Sequence, residues 1–319
     1  MSELTDLFEK PSKEAWLAKV KKDLKGEAIH SLDFPLAGRV YSPFHHLTDR
    51  PPGTGYVMGM PNGHRLVGIE IDATGSPAEA NAAALDALNK GADLLLFRIP
   101  SIEAMGKGTR KKLLKDILTD IVTIVYVEPL FKAPGAPLII QEHTQGGYHV
   151  DGLSGDLADA LYSAMESYVE DGAKQPSFHV PAQEQYFLTI AQLRALRLCW
   201  QRISAACGEQ TNCRIFGHIQ HKSGTEANHN KIVATTHAMA LTIGGADGLV
   251  VAPSDHDGTN AFTRRVALNL QHVIEYESHL QAAPDPAAGS YFLEQLTNDV
   301  AQKIWTRFQA LTTDSSYQI

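Results

Sequence analysis

Strand-like and helix-like segments alternate at least seven times from residue 66 onward, and this alternation limits the fold more than any other feature. The strand-like runs are LVGIEI (66–71), DLLLFRI (93–99), IVTIVYV (121–127), PLIIQ (137–141), PSFHV (176–180), CRIFGHI (213–219) and DGLVVA (247–252). Short, continuous apolar runs are typical of parallel strands that are covered on both faces. Seven or eight such units in about 250 residues predict a (β/α)8 TIM-type barrel over residues 65–319.

An open, doubly wound sheet is the alternative architecture. That fold would normally place a glycine-rich phosphate turn directly after the first strand, and only Gly75 stands there. A second glycine cluster, GGADG (244–248), lacks the GxGxxG spacing and is expected to end a helix and lead into the next strand.

The residues before the barrel predict an arm rather than a domain. Residues 12–25 have the pattern of an amphipathic helix, with Ser12 as its N-cap and Gly26 at its end. Residues 27–64 are rich in proline and glycine and predict an irregular extended segment. Residues 1–64 are therefore expected to form a helix followed by an extended arm.

Composition narrows the functional class and the compartment. The net charge is −8 and the pI is about 5.9, which disfavours binding to nucleic acid or to anionic membranes. The three cysteines form no CxxC pair, so neither a disulfide framework nor a structural zinc site is expected. We find no apolar signal-peptide region and no run of 18 apolar residues. These features predict a cytoplasmic location.

The segment GHIQH (217–221) places His218, Gln220 and His221 at the end of a predicted strand. In a barrel, the C-terminal strand ends form the catalytic face. His218 and His221 could hold a metal ion, but a strand directs them to opposite faces, and no carboxylate cluster accompanies them. We therefore favour a polar pocket lining formed by His218 and Gln220, with purely structural histidines as the alternative and no metal site.

Two further segments carry candidate residues. GGYHVDG (146–152) places Tyr148 and His149 in a predicted loop, where they could hydrogen-bond a thioester carbonyl or steer a radical. The alternative is a loop that buries one ring and exposes the other. In APSDHDG (252–258), Asp255 and Asp257 are expected to cap the following helix.

The segment DPAAGSYFLEQLT (285–297) predicts a tight turn that leads into the last helix. Gly289 is free to adopt positive φ, and Ser290 is a candidate N-cap. The helix is expected to bury one apolar face, formed by Leu293, Leu296, Val300, Ile304 and Phe308.

Several of these segments together resemble the methylmalonyl-CoA mutase family. DPAAGSYFLEQLT followed by DVAQKIW is similar to the end of that family's substrate barrel. YFLTIAQLRALRLCW resembles its long helix, and the matching residues are Ile190, Ala191, Arg194, Ala195, Arg197 and Trp200. WLAKVKKDLKG resembles the N-terminal helix of the family, and AEANAAALDALNKGADLLLF resembles the first barrel unit of its smaller subunit. The likeness extends over nearly the whole chain and is strongest from about 178 to 308.

The resemblance implies a carbon-skeleton rearrangement of CoA thioesters, the interconversion of methylmalonyl-CoA and succinyl-CoA, with adenosylcobalamin. In that family the CoA tail threads the barrel, and the cofactor lies on a separate domain that docks on the barrel mouth. Many members pair a catalytic chain with a related non-catalytic one. The resemblance maps the family's substrate-contacting Tyr-His pair to Tyr148 and His149, and part of its His-x-Gln-x-Ser-Gly segment to His218 and Gln220.

Two departures from the family pattern favour the non-catalytic type. None of the 14 histidines lies in the family's cobalt-binding Asp-x-His-x-x-Gly motif, so cobalamin is expected in the complex and not on this chain alone. A barrel that admits pantetheine needs small polar lining residues, but Thr123 and Ser177 are the only serine or threonine in the seven strand windows. A filled barrel is therefore expected.

The sequence supports three functional hypotheses. The first is the non-catalytic barrel subunit of an adenosylcobalamin-dependent acyl-CoA mutase, inactive alone and bound to a catalytic chain. The second is a split mutase, in which this barrel binds acyl-CoA and a separate chain binds cobalamin. The third is a metal-dependent barrel hydrolase that uses His218 and His221.

Overall fold

The structure is a computed structural model, and a closed eight-stranded barrel lies at its centre. It describes residues 11–49, 65–101, 105–128, 139–141, 144–149, 154–171, 175–208, 210–221, 226–254, 260–280 and 282–313. Of these, residues 47, 139–141, 144–149, 154–156, 170 and 171 are described by their backbone only.

The barrel is formed by strands β3 to β10 in sequential order, and β10 pairs with β3 to close it. Their bounds are β3 Leu66–Asp72, β4 Leu94–Arg98, β5 Thr123–Val127, β6 Ile139–Gln141, β7 Thr144–His149, β8 Ser177–Pro181, β9 Arg214–Ile219 and β10 Gly248–Val251. The predicted α/β barrel is thus confirmed. A separate two-stranded sheet is formed by β1 (Phe34–Leu36) and β2 (Arg39–Tyr41).

One barrel strand departs from the predicted pattern. Strand β6 runs antiparallel to both β5 and β7, whereas the other neighbouring strands pair in parallel. Residues 144–149 form strand β7, so the prediction that Tyr148 and His149 lie in a loop was wrong. The barrel reaches eight strands because a hairpin, instead of a βα unit, follows β5.

Eight α-helices are described around the strands. They are α1 Lys13–Asp23, α2 Pro77–Leu88, α3 Lys107–Leu113, α4 Ser154–Asp171, α5 Tyr186–Ala206, α6 Ala227–Ile243, α7 Ala261–His272 and α8 Tyr291–Thr313. Helix α7 continues into a π-helical segment, Val273–Glu277. Among the described residues, no helix combines the length and the apolar character needed to cross a membrane.

Strand β3 is fixed in place by a side chain from helix α7. The amide of Gln271 donates to the carbonyl of Gly68 (2.8 Å) and accepts from the Gly68 N–H (3.1 Å). Gly68 has no room for a side chain, because an added Cβ would lie 2.3 Å from the carbonyl oxygen of Leu249. The close packing orients β3, which carries acidic residues at its C-terminal end.

The turn before α8 is held by a buried arginine from α5. Arg194 donates to the carboxylates of Asp285 (2.8 Å) and Glu294 (3.0 Å). Gly289 adopts φ +82° and Ser290 Oγ accepts from the Leu293 N–H at 3.4 Å, as the sequence predicted. The predicted apolar face of α8 is also confirmed, because all five of its residues are buried: Leu293, Leu296, Val300, Ile304 and Phe308.

The β1–β2 hairpin packs on helix α8. Leu36 and Tyr41 are buried, and the rings of Phe34 and Tyr41 lie 5.5 and 5.4 Å from that of Phe292. The Tyr41 hydroxyl donates to Asp299 at 2.8 Å. The hairpin is therefore part of the hydrophobic core, in contrast to α1, which has no buried residue.

Candidate functional site at the barrel mouth

The described part of the barrel interior is filled by large apolar side chains. Strands alternate their side chains between the two faces of a sheet, and one face here forms a cluster that contains no helix residue. Its members are Leu66, Leu94, Leu96, Val125, Val127, Phe216 and Val250. Phe216, Leu94 and Val125 have no solvent exposure. In the strands whose side chains are described, this packing is that of an ordinary filled barrel, as expected from the strand composition.

The polar residues of the interior lie toward the C-terminal strand ends, where Arg98 bridges two carboxylates of β3. Its guanidinium nitrogens lie 3.5 Å from Glu70 and 2.9 Å from Asp72. Burial raises the pKa of Glu70, Arg98 opposes this effect, and the charge of Asp72 adds to it. For Asp72, burial also acts to raise the pKa, but hydrogen bonds from Thr74 and Arg98 outweigh it and lower the pKa overall.

Two histidines on adjacent strands meet inside the barrel. Nδ1 of His179 (β8) lies 2.8 Å from Nε2 of His218 (β9), so one ring donates and the other accepts. His179 is fully buried and its ring packs at a tilt against Phe216 with centroids 5.0 Å apart, whereas His218 is 6% exposed. The pair is therefore fixed between the apolar filling and the mouth.

Of the residues predicted from the sequence, His218 belongs to this histidine pair. The two polar pairs near the mouth, Glu70 with Arg98 and His179 with His218, are together called the polar cluster. Gln220 is exposed, just beyond the end of β9. The backbone positions of Tyr148 and His149 pair with Phe178 and His179 of strand β8, and their side chains lie outside the described part of the structure. Asp255 and Asp257 also lie outside the described residues.

Sequence analysis missed His179, Glu70 and Arg98. The signal for His179 was available, since it is a polar residue inside an apolar strand, PSFHV, just as His218 is in CRIFGHI. Glu70 and Arg98 also interrupt apolar runs, at the ends of the first two barrel strands. Polar residues near the ends of successive parallel strands converge at one end of a barrel.

The two histidines considered as metal ligands do not share a site. His218 is hydrogen-bonded to His179, whereas Nε2 of His221 lies 2.8 Å from the carbonyl oxygen of Ala252. Within the described ranges, no group of three or more His, Cys, Asp or Glu side chains could hold a metal ion. The structure therefore gives the hydrolase hypothesis no support in these ranges.

Comparison with known proteins shows that the chain is similar in sequence to the methylmalonyl-CoA mutase family. The methylmalonyl-CoA mutase family profile matches residues 158–315. The probable methylmalonyl-CoA mutase small subunit of Mycobacterium bovis is 35% identical over 154 residues, which are 45% of this chain and 25% of that protein. The small subunit of Streptomyces virginiae is 33% identical over 150 residues, covering 45% of this chain and 24% of that protein.

The small subunit of Propionibacterium freudenreichii subsp. shermanii is 29% identical over 191 residues, which are 51% of this chain and 28% of that protein. These matches span about a quarter of the length of the relatives (25, 24 and 28%) and about half of this chain, less than the near-complete span expected from the sequence. Residues 158–315 therefore match the methylmalonyl-CoA mutase family, and the chain is similar to small subunits of that family.

Proposed function

We propose that this chain is the non-catalytic barrel subunit of an adenosylcobalamin-dependent acyl-CoA mutase that interconverts methylmalonyl-CoA and succinyl-CoA. Its role is to bind a catalytic mutase chain. Three observations support this proposal: the similarity to small subunits, the apolar filling of the described part of the barrel interior, and an exposed N-terminal helix.

The filled interior is the observation that carries the proposal. A catalytic barrel of this family is expected to admit a pantetheine chain along its axis. Here Phe216, Leu94 and Leu96 occupy the described side of that path and are at most 2% exposed. Opening the path would remove apolar contacts from the core, at a cost of about 3–5 kcal/mol for an aromatic ring alone.

The histidines at the described strand ends do not fit cobalamin as a cobalt ligand of this chain. The family resemblance implies a histidine as the protein's ligand to cobalt, and its imidazole would have to reach outward from the barrel mouth. His179 and His218 are buried and hydrogen-bonded to each other, and His221 is bonded to a backbone carbonyl. We therefore assign adenosylcobalamin to the complex and derive no catalytic step for this chain.

Helix α1 is the surface that we assign to partner binding. None of its residues is buried, and the Trp16 ring is covered only in part, by Phe44 (6.1 Å between centroids) and His46 (6.0 Å). Aromatic residues that combine an apolar ring with partial exposure are enriched at protein interfaces. The helix thus offers a docking element that can be changed without disturbing the barrel.

The proposal can be tested by mixing the purified chain with the large, catalytic chain of a methylmalonyl-CoA mutase and analysing the mixture by size-exclusion chromatography with light scattering. We expect a stable complex. Trp16→Ala should weaken it by about tenfold or more, as expected for an interface anchor. Leu118→Ala is the matched control, because Leu118 is an apolar residue outside helix α1 and is 63% exposed. A folded sample that forms no complex would contradict the proposal.

A second measurement separates this function from that of a split mutase. The chain is titrated with methylmalonyl-CoA and with succinyl-CoA by calorimetry, and we expect no saturable binding. Two polar pairs near the mouth, Glu70 with Arg98 and His179 with His218, are the observation that favours the alternative. Saturable binding that His218→Ala abolishes would establish that this barrel itself receives the acyl-CoA.

A further inference from the structure

A groove runs between the β1–β2 hairpin and helix α8 on the outside of the barrel. Its volume is about 570 Å³. It is lined by Arg39, Asp299, Gln302, Lys303, Thr306, Arg307 and Ala310. None of these residues belongs to the polar cluster at the barrel mouth.

The groove is cationic in a protein that is acidic overall. Three of its lining residues are cations, Arg39, Lys303 and Arg307, and the chain carries a net charge of −8. Two carboxylates face them: Asp299 pairs with Arg39, and Asp159 lies 3.6 Å from Arg307. Three cations against two carboxylates leave one unbalanced positive charge.

The cations keep hydrogen-bonding capacity for a ligand. Arg39 and Arg307 are 51% and 54% exposed, and each guanidinium has five N–H donors. The Lys303 ammonium donates to the Ala37 carbonyl and retains two more protons. Asp299, by contrast, is nearly buried and already accepts from Tyr41 as well as Arg39. A ligand of this groove must therefore supply acceptors and negative charge.

We propose that the groove binds an acidic segment, rich in aspartate or glutamate, of a partner protein. A single small anion would stay half in water, where each ion pair contributes little. Lys303 and Arg307 lie one helical turn apart, so their Cβ atoms are about 5–6 Å from each other. A peptide that carries several carboxylates can contact both of them and Arg39 at once, and the combined contacts stabilise the complex. The inference does not depend on the identity of the mutase partner.

The probe is a fluorescein-labelled decaglutamate peptide, and its binding to the full chain is followed by fluorescence anisotropy at low ionic strength. The groove variant combines Lys303→Gln and Arg307→Gln, which keep good helix formers. The control combines Lys111→Gln and Lys112→Gln, which remove the same charge from an exposed part of α3. We expect about tenfold weaker binding for the groove variant, little change for the control, and loss of affinity with added salt.

Three results would overturn the inference. The first is no binding of the peptide by the folded wild-type chain. The second is an equal loss in the groove and control variants, which would mean a response to total charge. The third is a wild-type chain that binds inorganic pyrophosphate saturably but does not bind the peptide. If the groove variant then loses pyrophosphate binding, the groove is a small-anion site. Because Lys303 contacts Ala37, Arg307→Gln alone is also measured, and equal melting temperatures confirm that the hairpin remains folded.

Discussion

The guanidinium of Arg194 and the carboxylate of Asp285 lie 2.8 Å apart in the interior, although the two residues are 91 positions apart in the chain. They come from the two segments that carry most of the resemblance to the mutase family, the long helix α5 and the turn before α8. Glu294 completes the group with a second bond to Arg194 at 3.0 Å. The tight turn is therefore the site where the last helix is attached to the barrel.

Replacing Arg194 should strongly destabilise the fold. Arg194→Met leaves Asp285 and Glu294 buried without their cation, and removing one partner of a buried ion pair costs about 3–5 kcal/mol. The free energy of unfolding is measured by urea denaturation with circular dichroism. Arg307→Met is the control, because its pair with Asp159 is half-exposed and should contribute less than about 1 kcal/mol. Similar losses of unfolding free energy in both variants would contradict the conclusion that the buried Arg194 ion pairs stabilise the fold.

Removing the ring that fills the barrel should be equally costly. Phe216→Ala creates a cavity among the interior residues of β4, β5 and β10, and we expect a loss of about 3–5 kcal/mol in unfolding free energy. Phe262→Ala serves as the matched control, since that ring is 54% exposed between Lys231 and Arg265. The control should lose no more than about 1 kcal/mol. If Phe216→Ala lowers the free energy of unfolding by no more than the control does, the barrel interior is not closely packed around Phe216.

The two carboxylates beside Arg98 should affect stability in opposite directions as the pH changes. The pKa of Glu70 is raised in the folded state, so its favourable contribution is present at low pH and is lost as the pH rises through the folded pKa. The pKa of Asp72 is lowered, so its contribution is present above the unfolded pKa and is lost as the pH falls through the folded pKa.

Urea denaturation between about pH 3 and pH 7 measures both effects. Relative to the wild type, Glu70→Gln should gain stability as the pH rises. Asp72→Asn should lose stability over the same interval, because the wild-type carboxylate becomes ionised and is held by Thr74 and Arg98. If the stabilities of the two variants change with pH in the same direction, Glu70 and Asp72 do not have the opposite pKa shifts that their surroundings indicate.

The three thiols should differ in reactivity. Burial raises the pKa of Cys199 and of Cys213 to about 12, and both are nearly inaccessible. Cys207 is half-buried, and burial raises its pKa as well. At pH 8, a disulfide reagent such as DTNB should therefore modify Cys207 first and the other two on unfolding. Cys207→Ser should remove the early phase, and a fast phase that persists would locate the reactive thiol elsewhere.

Much of the barrel could be predicted because its parallel strands are continuous apolar runs. The direction of β6 was missed, although connection lengths contained the information. Eleven residues separate Val127 from Ile139, and two separate Gln141 from Thr144. A parallel crossover needs a dozen or more residues, so a two-residue connection permits only a hairpin.

The mouth cluster was harder to predict, because its contacts depend on register between strands that are distant in the chain. His179 and His218 are 39 residues apart, and their contact requires β8 and β9 to be neighbours with Pro181 paired to His218. Glu70 and Arg98 likewise meet only once β3 and β4 are aligned. A sequence indicates which side chains are polar, but the shear of the closed sheet decides which of them meet.

The attachment of the β1–β2 hairpin to helix α8 has a consequence for how the protein is made. Tyr41 and Asp299 are 258 residues apart, so the hairpin leaves the ribosome long before the helix that buries it. Strand β3 is likewise synthesised long before its partner β10, in which Gly248 lies opposite Leu66. Contacts between such distant positions form slowly and only after synthesis of both partners. During translation, the aromatic face of the hairpin therefore remains uncovered until helix α8 has been synthesised.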